Sequence, residues 1–185
     1  SGGTLRAASA GALPQNRAYA INAGTLDVGS WNLTMSSLAG SGGDVALNAQ
    51  TLTVNQNAYA GHGGTSDTGA AGDGGNATSR LTRTDNFASQ HTVNLYSRGG
   101  YGGNTTSGST GTAGTALSEA TVSAAGNLTM TVDAQGGNGG AASTGSGTAG
   151  AKGTSTASGT TVANATATVT ATANGGTGGS GSGAG

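Results

Sequence analysis

The chain has 185 residues, of which 39 are glycine, 33% are hydrophobic and 3% are aromatic. So few large side chains exclude a compact globule that closes around a conventional hydrophobic core. Six Lys and Arg against seven Asp and Glu give a net charge of −1, which excludes a basic surface for nucleic acid and the charge-driven form of disorder. Stacked repeats, in which backbone hydrogen bonds replace a large core, are the remaining route to order.

Cysteine is absent, and no stretch approaches the roughly 18 consecutive apolar residues of a membrane helix. We therefore expect neither a disulfide framework nor membrane insertion. The chain starts at Ser1 without a signal-like pattern and stops in a glycine-rich stretch. We expect it to be a fragment of something longer.

Short repeats come first. Residues 25–35 align with residues 44–54, with apolar side chains at matching places and a step of about 19 residues. In both copies two short alternating segments flank a small polar turn, a pattern typical of short strands. The sequence therefore predicts coils of about 19 residues over 20–60.

Longer repeats of about 38 residues follow over 61–185, within a single repeat array that covers 1–185. Each begins with a strand-like segment and runs into a glycine-rich stretch. Equivalent residues at the strand starts, counting the shorter first copy, are Leu33, Leu52, His91, Leu128 and Ala167. Equivalent glycine pairs after the strands are Gly63 and Gly64, Gly102 and Gly103, Gly139 and Gly140, and Gly178 and Gly179.

Further strands are predicted midway through the long repeats, at 77–82, 116–122 and 160–166. They favour an additional stacked coil in each long repeat over one coil with a long insertion. Strand character is clearest over residues 162–174, where alanine or valine alternates with threonine or asparagine in a period of two.

The glycine-rich stretches, which we call arms, admit three interpretations. Paired glycines suit tight turns with positive φ, and they suit polyglycine II-like strands packed so closely that a Cβ would interfere. A mobile loop is the third, because fixing glycine costs conformational entropy. The predicted fold class is all-β, a repetitive β-solenoid with Gly-rich arms.

The pattern GGDVALNAQTLTV, after AGTLDVGSWNLTM, resembles the filamentous haemagglutinin-type exoproteins of two-partner secretion. The resemblance is best over residues 20–60. Beyond Gly61, stretches such as TATVTATANGGTGGSG are similar to Gly-, Ala- and Thr-rich repeats of large bacterial surface proteins. The resemblance implies a right-handed parallel β-helix, export through an outer-membrane secretion transporter, and display outside the bacterial cell.

No catalytic, cofactor-binding or metal site is predicted, and we do not expect an enzyme. His62 and His91 occupy different repeat positions without a carboxylate at ligand spacing, which indicates exposed polar fillers. Asp67, Asp73 and Asp133 lie in or beside glycine-rich segments, but the surrounding residues do not match the calcium-binding nonapeptide.

Five asparagines fit the acceptor triplet for N-glycosylation, which a chain rich in Asn and Thr produces readily by composition. They are Asn32, Asn76, Asn104, Asn127 and Asn164. Three tyrosines recur near the arms of neighbouring repeats, and we expect them to stack between coils, with sugar binding as the alternative. They are Tyr59, Tyr96 and Tyr101.

These features predict a structural scaffold of an extracellular bacterial adhesin or fibre that self-associates through exposed strand edges. The alternative is a binding module, either glycan-binding or ice-binding. An ice-binding face needs threonine at the same place in every coil, whereas the residues that match Thr170 are Asn55, Asn94 and Thr131.

Overall fold

The structure is a computed structural model, in which the described residues contain fourteen β-strands and no helix. The described residues are 4–9, 12–28, 35–39, 44–46, 51–86, 88–162 and 164–182. All paired strands among them are parallel and belong to successive turns, so the predicted all-β solenoid is confirmed. No helix within these residues is long and apolar enough to cross a membrane. Asn32 and Leu33 lie outside the described residues.

The N-terminal region consists of short strands in short turns. Strands β1 (Thr4–Arg6), β3 (Thr25–Asp27) and β5 (Asp44–Ala46) form one sheet, in which Thr4 pairs with Thr25 and Thr25 with Asp44. Strand β2 (Arg17–Ala20) pairs with β4 (Met35–Ala39). Successive turns here are therefore about half the length of those that follow.

Nine-residue strands dominate the rest of the chain because each alternates small or apolar side chains with polar ones. The four-stranded sheet I has the order β14-β11-β8-β6 and the three-stranded sheet II has the order β13-β10-β7. Sheet I contains β6 (Thr51–Tyr59), β8 (Gln90–Arg98), β11 (Asn127–Gln135) and β14 (Ala167–Asn174). Sheet II contains β7 (Ala77–Asp85), β10 (Ala116–Ala124) and β13 (Gly153–Thr161).

A thin core lies between sheets I and II, where the inward-facing residues of both meet. Its buried members are Val93, Leu95, Ala120, Val122, Ala124, Leu128, Met130 and Val132. Buried serines also lie between the sheets, and Ser97 and Ser118 hydrogen-bond to each other across the core at 2.8 Å. This bond satisfies two buried hydroxyl groups, whereas the buried Ser79 hydroxyl has no partner among the described residues.

Each long turn is a single coil of 37 to 39 residues. Strands β6 and β7 of one repeat belong to different sheets, and each pairs with the equivalent strand of the next repeat. The midway segments 77–82 and 116–122 lie in β7 and β10, as predicted. The predicted additional stacked coil is wrong, because the midway strands form the second side of the same turn.

The alternating residues from 162 onward do not form one continuous strand. Of the third predicted midway segment, 160–166, Thr160 and Thr161 belong to β13, which ends there, so the prediction is wrong for the described residues after Thr161. Asn164 has a φ of 70° and the Ala165 amide donates to the Val162 carbonyl, which makes a turn before β14 begins at Ala167. Asparagine tolerates this left-handed conformation better than other residues with a Cβ, so it breaks the alternating pattern here.

Candidate functional site

The arms leave sheet I and return to sheet II, and their tips carry the short paired strands β9 (Thr105–Ser107) and β12 (Ala142–Thr144). The three complete arms span residues 60–76, 99–115 and 136–152. A fourth is described only in its outgoing half, residues 175–182. Each complete arm therefore contributes one outgoing and one returning segment to a common bundle, which we call the glycine bundle.

Hydrogen bonds in the glycine bundle recur at every third residue. The outgoing amides of Ala60, Gly63 and Ser66 donate to carbonyls of the next turn at 2.8 to 3.0 Å. Three residues per turn, with hydrogen bonds only to neighbouring segments, is the geometry of a polyproline II-type helix. The arms are therefore regular extended helices.

Returning segments complete the lattice by bonding in other directions. The Gly72 amide donates to the Gly64 carbonyl of its own arm, while the Gly72 carbonyl accepts from Gly103 of the next arm, both at 2.9 Å. Gly75 bonds in the same way to Gly61 and Gly100. Of the three interpretations of the arms, the structure selects polyglycine II-like packing, and positive φ among the described arm residues is confined to Gly108 and Gly145 near the tips.

The predicted glycine pairs lie inside this lattice or at its two ends. A Cβ on most of them would overlap a backbone carbonyl oxygen of an adjacent segment, because the backbones approach too closely for any side chain. The crowded members are Gly63, Gly102, Gly103, Gly139, Gly140 and Gly179. A Cβ on Gly64 would have no described atom within 4 Å, and the atom nearest to a Cβ on Gly178 is 3.7 Å away. These two glycines belong to the first and last described arms, where one neighbouring segment is not among the described residues.

Leu52, His91, Leu128 and Ala167 lie opposite one another in the register of sheet I. His91 is 2% exposed, and its Nε2 lies 3.3 Å from Oδ1 of the buried Asp85. The prediction of an exposed filler is therefore wrong for His91, since strand alternation turns position 91 inward like Leu128.

His62 lies in the first complete arm, 60–76, of the glycine bundle. Its Nδ1 accepts a hydrogen bond from the Tyr101 amide at 2.8 Å, and the two rings stack with centroids 4.4 Å apart. The ring therefore joins two turns as well as being a polar surface group. No group of three or more His, Cys, Asp or Glu within the described residues could hold a metal ion.

Asparagine and aspartate side chains form a further set of bonds between turns, which sequence reasoning missed. Oδ1 of Asp73 accepts from the amide and hydroxyl of Thr112 at 2.7 and 2.8 Å, and these two bonds lower the pKa of the carboxyl in that order of importance. Asn76 receives the same two bonds from Thr115. A detectable signal was an Asn or Asp followed by Thr 39 residues later.

Three more asparagines accept a backbone amide of the next turn, at 2.8 to 3.0 Å. They are Asn104, Asn127 and Asn138. Several of the acidic residues and triplet asparagines noted in the sequence thus join the turns, among them Asp73, Asn76, Asn104 and Asn127.

The outer face of sheet I carries rows of hydroxyl and amide groups. One row is threonine on all four strands, and sequence reasoning missed it because it compared only the row of Thr170. Its members are Thr53, Thr92, Thr129 and Thr168. Adjacent members belong to strands about 4.8 Å apart, so the face is a regular polar array.

An aromatic cluster lies where sheet I meets the glycine bundle. The rings of Tyr59 and Tyr96 have centroids 5.5 Å apart, so the predicted contact between turns is confirmed for this pair. The Arg98 guanidinium lies 5.0 Å from the centroid of Tyr101, which itself stacks on His62. Tyr59 is 68% exposed, so one face of this cluster is open to solvent.

The fold and these contacts define a β-solenoid reinforced by a polyglycine II-like bundle. No family model matches the chain, and no solved structure matches it significantly. The chain is similar to the Adhesin BmaC autotransporter of Brucella suis biovar 1 (strain 1330), with 53% identity over 38 residues. That match covers 20% of this chain and 1% of the adhesin. The solenoid and this short match fit a surface adhesin-like protein.

Proposed function

We propose that the chain is a structural scaffold segment of an extracellular bacterial adhesin. The observation that carries the proposal is that the three complete long turns bond to one another through sheet I, sheet II and the glycine bundle. Three parallel bonding systems resist separation of the turns although the core between the sheets is thin. A non-enzymatic role is part of the proposal.

Such a solenoid builds length economically, because each turn contacts only its neighbours and adds one strand spacing of about 4.8 Å. Small side chains suit this task, since they keep the cross-section narrow. Display at the bacterial surface is part of the proposal and is supported by the similarity to an autotransporter adhesin. Passage through an outer-membrane secretion transporter follows from the same interpretation.

Self-association into filaments is the finer part of the proposal. All eight residues of β14 are exposed, and Val169 and Val162 are 39% and 55% exposed. Within the described residues β14 pairs with β11 on one side alone, and such a strand edge with apolar side chains favours pairing with another β-edge. A second copy that stacks on β14 would continue sheet I.

Electron microscopy of the purified chain at neutral pH tests both parts. Regular filaments are expected, and Val169→Lys should abolish them because an inward-pointing charge blocks edge pairing. Thr168→Lys, one residue away on the outer face, is the matched control and should leave them intact. Isolated short rods would remove self-association but keep the scaffold, whereas a disordered monomer without strand signal would remove both.

Ice binding is a second candidate, favoured by the threonine row on sheet I. Its regular hydroxyl and methyl groups could order water on a flat face. Thermal hysteresis of the purified chain, lost in a Thr92→Tyr and Thr129→Tyr double variant, is the expected result. No hysteresis in the wild-type chain would remove this candidate.

A further inference from the structure

We infer that the aromatic cluster is a binding site for a neutral saccharide. Its aromatic members form two ring pairs, each made of residues from two successive turns. Tyr59 and His62 are three residues apart along an extended segment, so the pairs are separated by about 9 Å. Two platforms at this distance suit an oligosaccharide better than a single sugar ring.

The exposure of the rings argues that they do more than hold the turns together. Stacking that served the core alone would bury the rings, yet Tyr59 is 68% exposed. Its partner Tyr96 is held in place by a hydrogen bond from its Oη to Oε1 of Gln135, at 3.2 Å. The cluster therefore presents an oriented aromatic surface to solvent.

Polar groups beside the rings have unused hydrogen-bonding capacity. Within the described residues, neither Nε of Arg98 nor Oδ1 of Asp133 has a hydrogen-bond partner. Arg98 is paired with Tyr59 in the strand register, and Asp133 is paired with Tyr96. These two atoms are themselves buried, but Arg98 and Asp133 are half-buried as residues, so the outer polar atoms of their side chains lie beside the rings, where hydroxyl groups of a ligand can donate and accept.

The chemistry of the cluster selects among ligands that stack on aromatic rings. A quaternary ammonium ion would be repelled by Arg98, which already lies against the Tyr101 ring. A polyanion such as a nucleic acid needs a basic groove, whereas this cluster has one cationic side chain, Arg98, and one acidic side chain, Asp133, in a chain of net charge −1. A neutral saccharide fits both features, because its C–H faces stack on rings and its hydroxyls donate and accept.

Affinity electrophoresis through gels that contain xylan, glucomannan, galactan or dextran tests the inference. Retardation by at least one of these polysaccharides is expected, with at least a tenfold weaker apparent affinity for Tyr59→Ala and Tyr96→Ala. Tyr59→Phe keeps the ring and should bind like the wild-type chain. Tyr19→Ala removes a tyrosine outside the cluster and should also bind normally.

Circular dichroism confirms that each variant keeps its strands, so loss of binding can be separated from loss of the scaffold. The inference is overturned if none of the four polysaccharides retards the wild-type chain, or if Tyr59→Ala binds as well as Tyr59→Phe. A gel that contains hyaluronate is the charge control, and retardation only in that gel, abolished by salt, would also overturn the inference, since it would indicate general attraction of a polyanion.

Discussion

Adjacent glycines in the arms have different roles although they are consecutive in the sequence. A side chain on Gly63 would overlap the carbonyl oxygen of Gly72, whereas Gly64 faces open space. Neither has a positive φ, so the requirement at Gly63 comes from close approach of backbones and not from a turn. The lattice therefore needs glycine at defined places only.

Substitution of these two glycines should have opposite effects. Gly63→Ala is expected to destabilise the chain by about 2 kcal/mol, since overpacking must push two backbones apart. Gly64→Ala is expected to stabilise it by about 0.5 kcal/mol, because alanine restricts the unfolded chain without a clash in the folded one. Urea unfolding followed by circular dichroism measures both. Equal effects of the two substitutions would contradict the close packing.

Asp73 gives one contact between turns a defined dependence on pH. Its pKa is lower than the ordinary value of 3.8, so its stabilising contribution is present above about pH 4 and is lost as pH falls through the lowered pKa. Asp73→Asn keeps an acceptor oxygen without the charge. The melting temperatures of the wild-type chain and Asp73→Asn should therefore converge between pH 6 and pH 2.5. A difference that stays constant over this range would contradict the assignment.

At the scale of elements, the corner between β7 and β8 is held by a buried carboxylate. Asp85 is 3% exposed, accepts from the Ala88 amide at 2.9 Å and from Arg83 at 2.8 Å, and lies beside His91. The Arg80–Glu119 pair, between β7 and β10, is much more exposed, with side chains 64% and 42% accessible. The two ion pairs therefore differ in what their removal costs.

Asp85→Ala should destabilise the chain by about 3 kcal/mol, because it leaves buried polar groups without their partner. Glu119→Ala, the matched control, should cost at most about 1 kcal/mol, since an exposed pair is screened by water. Thermal unfolding of both variants at pH 7 measures the difference. Comparable losses would show that the corner does not depend on Asp85.

Strand existence could be predicted from the sequence where alternation is strong, as in β7, β10 and β11. The alternating pattern predicted the strand bounds less well where a single residue changes the backbone direction, as Asn164 does before β14. The burial of His91 was missed because its polarity indicated a surface residue, although its repeat position, equivalent to Leu128, already indicated an inward side chain. Polarity alone is a poor guide where a partner such as Asp85 compensates burial.

From the sequence, polyglycine II-like packing was one of three interpretations of the arms, and the sequence did not distinguish among them. The bonds of the glycine bundle join residues about 39 positions apart, such as Gly63 with Tyr101, and segments that run outward and back within one arm. These contacts exist only after neighbouring turns have stacked. Stacking of the tyrosines could be predicted because they recur near the arms of neighbouring repeats. The threonine row was missed because only the row of Thr170 was compared between repeats.

At the scale of the whole molecule, the long turns repeat one bonding plan without a large core. The two sheets supply the usual strand pairing, and the arms extend that pairing into a second lattice with a period of three. Stability is therefore a sum over contacts between adjacent turns, as expected for a solenoid. The central claim is that the arms belong to this cooperative structure and are not loops attached to it.

Hydrogen exchange of a uniformly ¹⁵N-labelled chain, followed amide by amide, tests that claim most directly. The bonded arm amides should exchange as slowly as amides of β8 and β11, while Gly64, without an acceptor among the described residues, should exchange faster. The bonded amides include Gly72, Gly75, Gly100, Gly103, Gly111, Gly114, Gly137 and Gly140. Arm amides that exchange at the rate of an unstructured peptide, while the strands stay protected, would contradict the claim and reduce the arms to mobile loops.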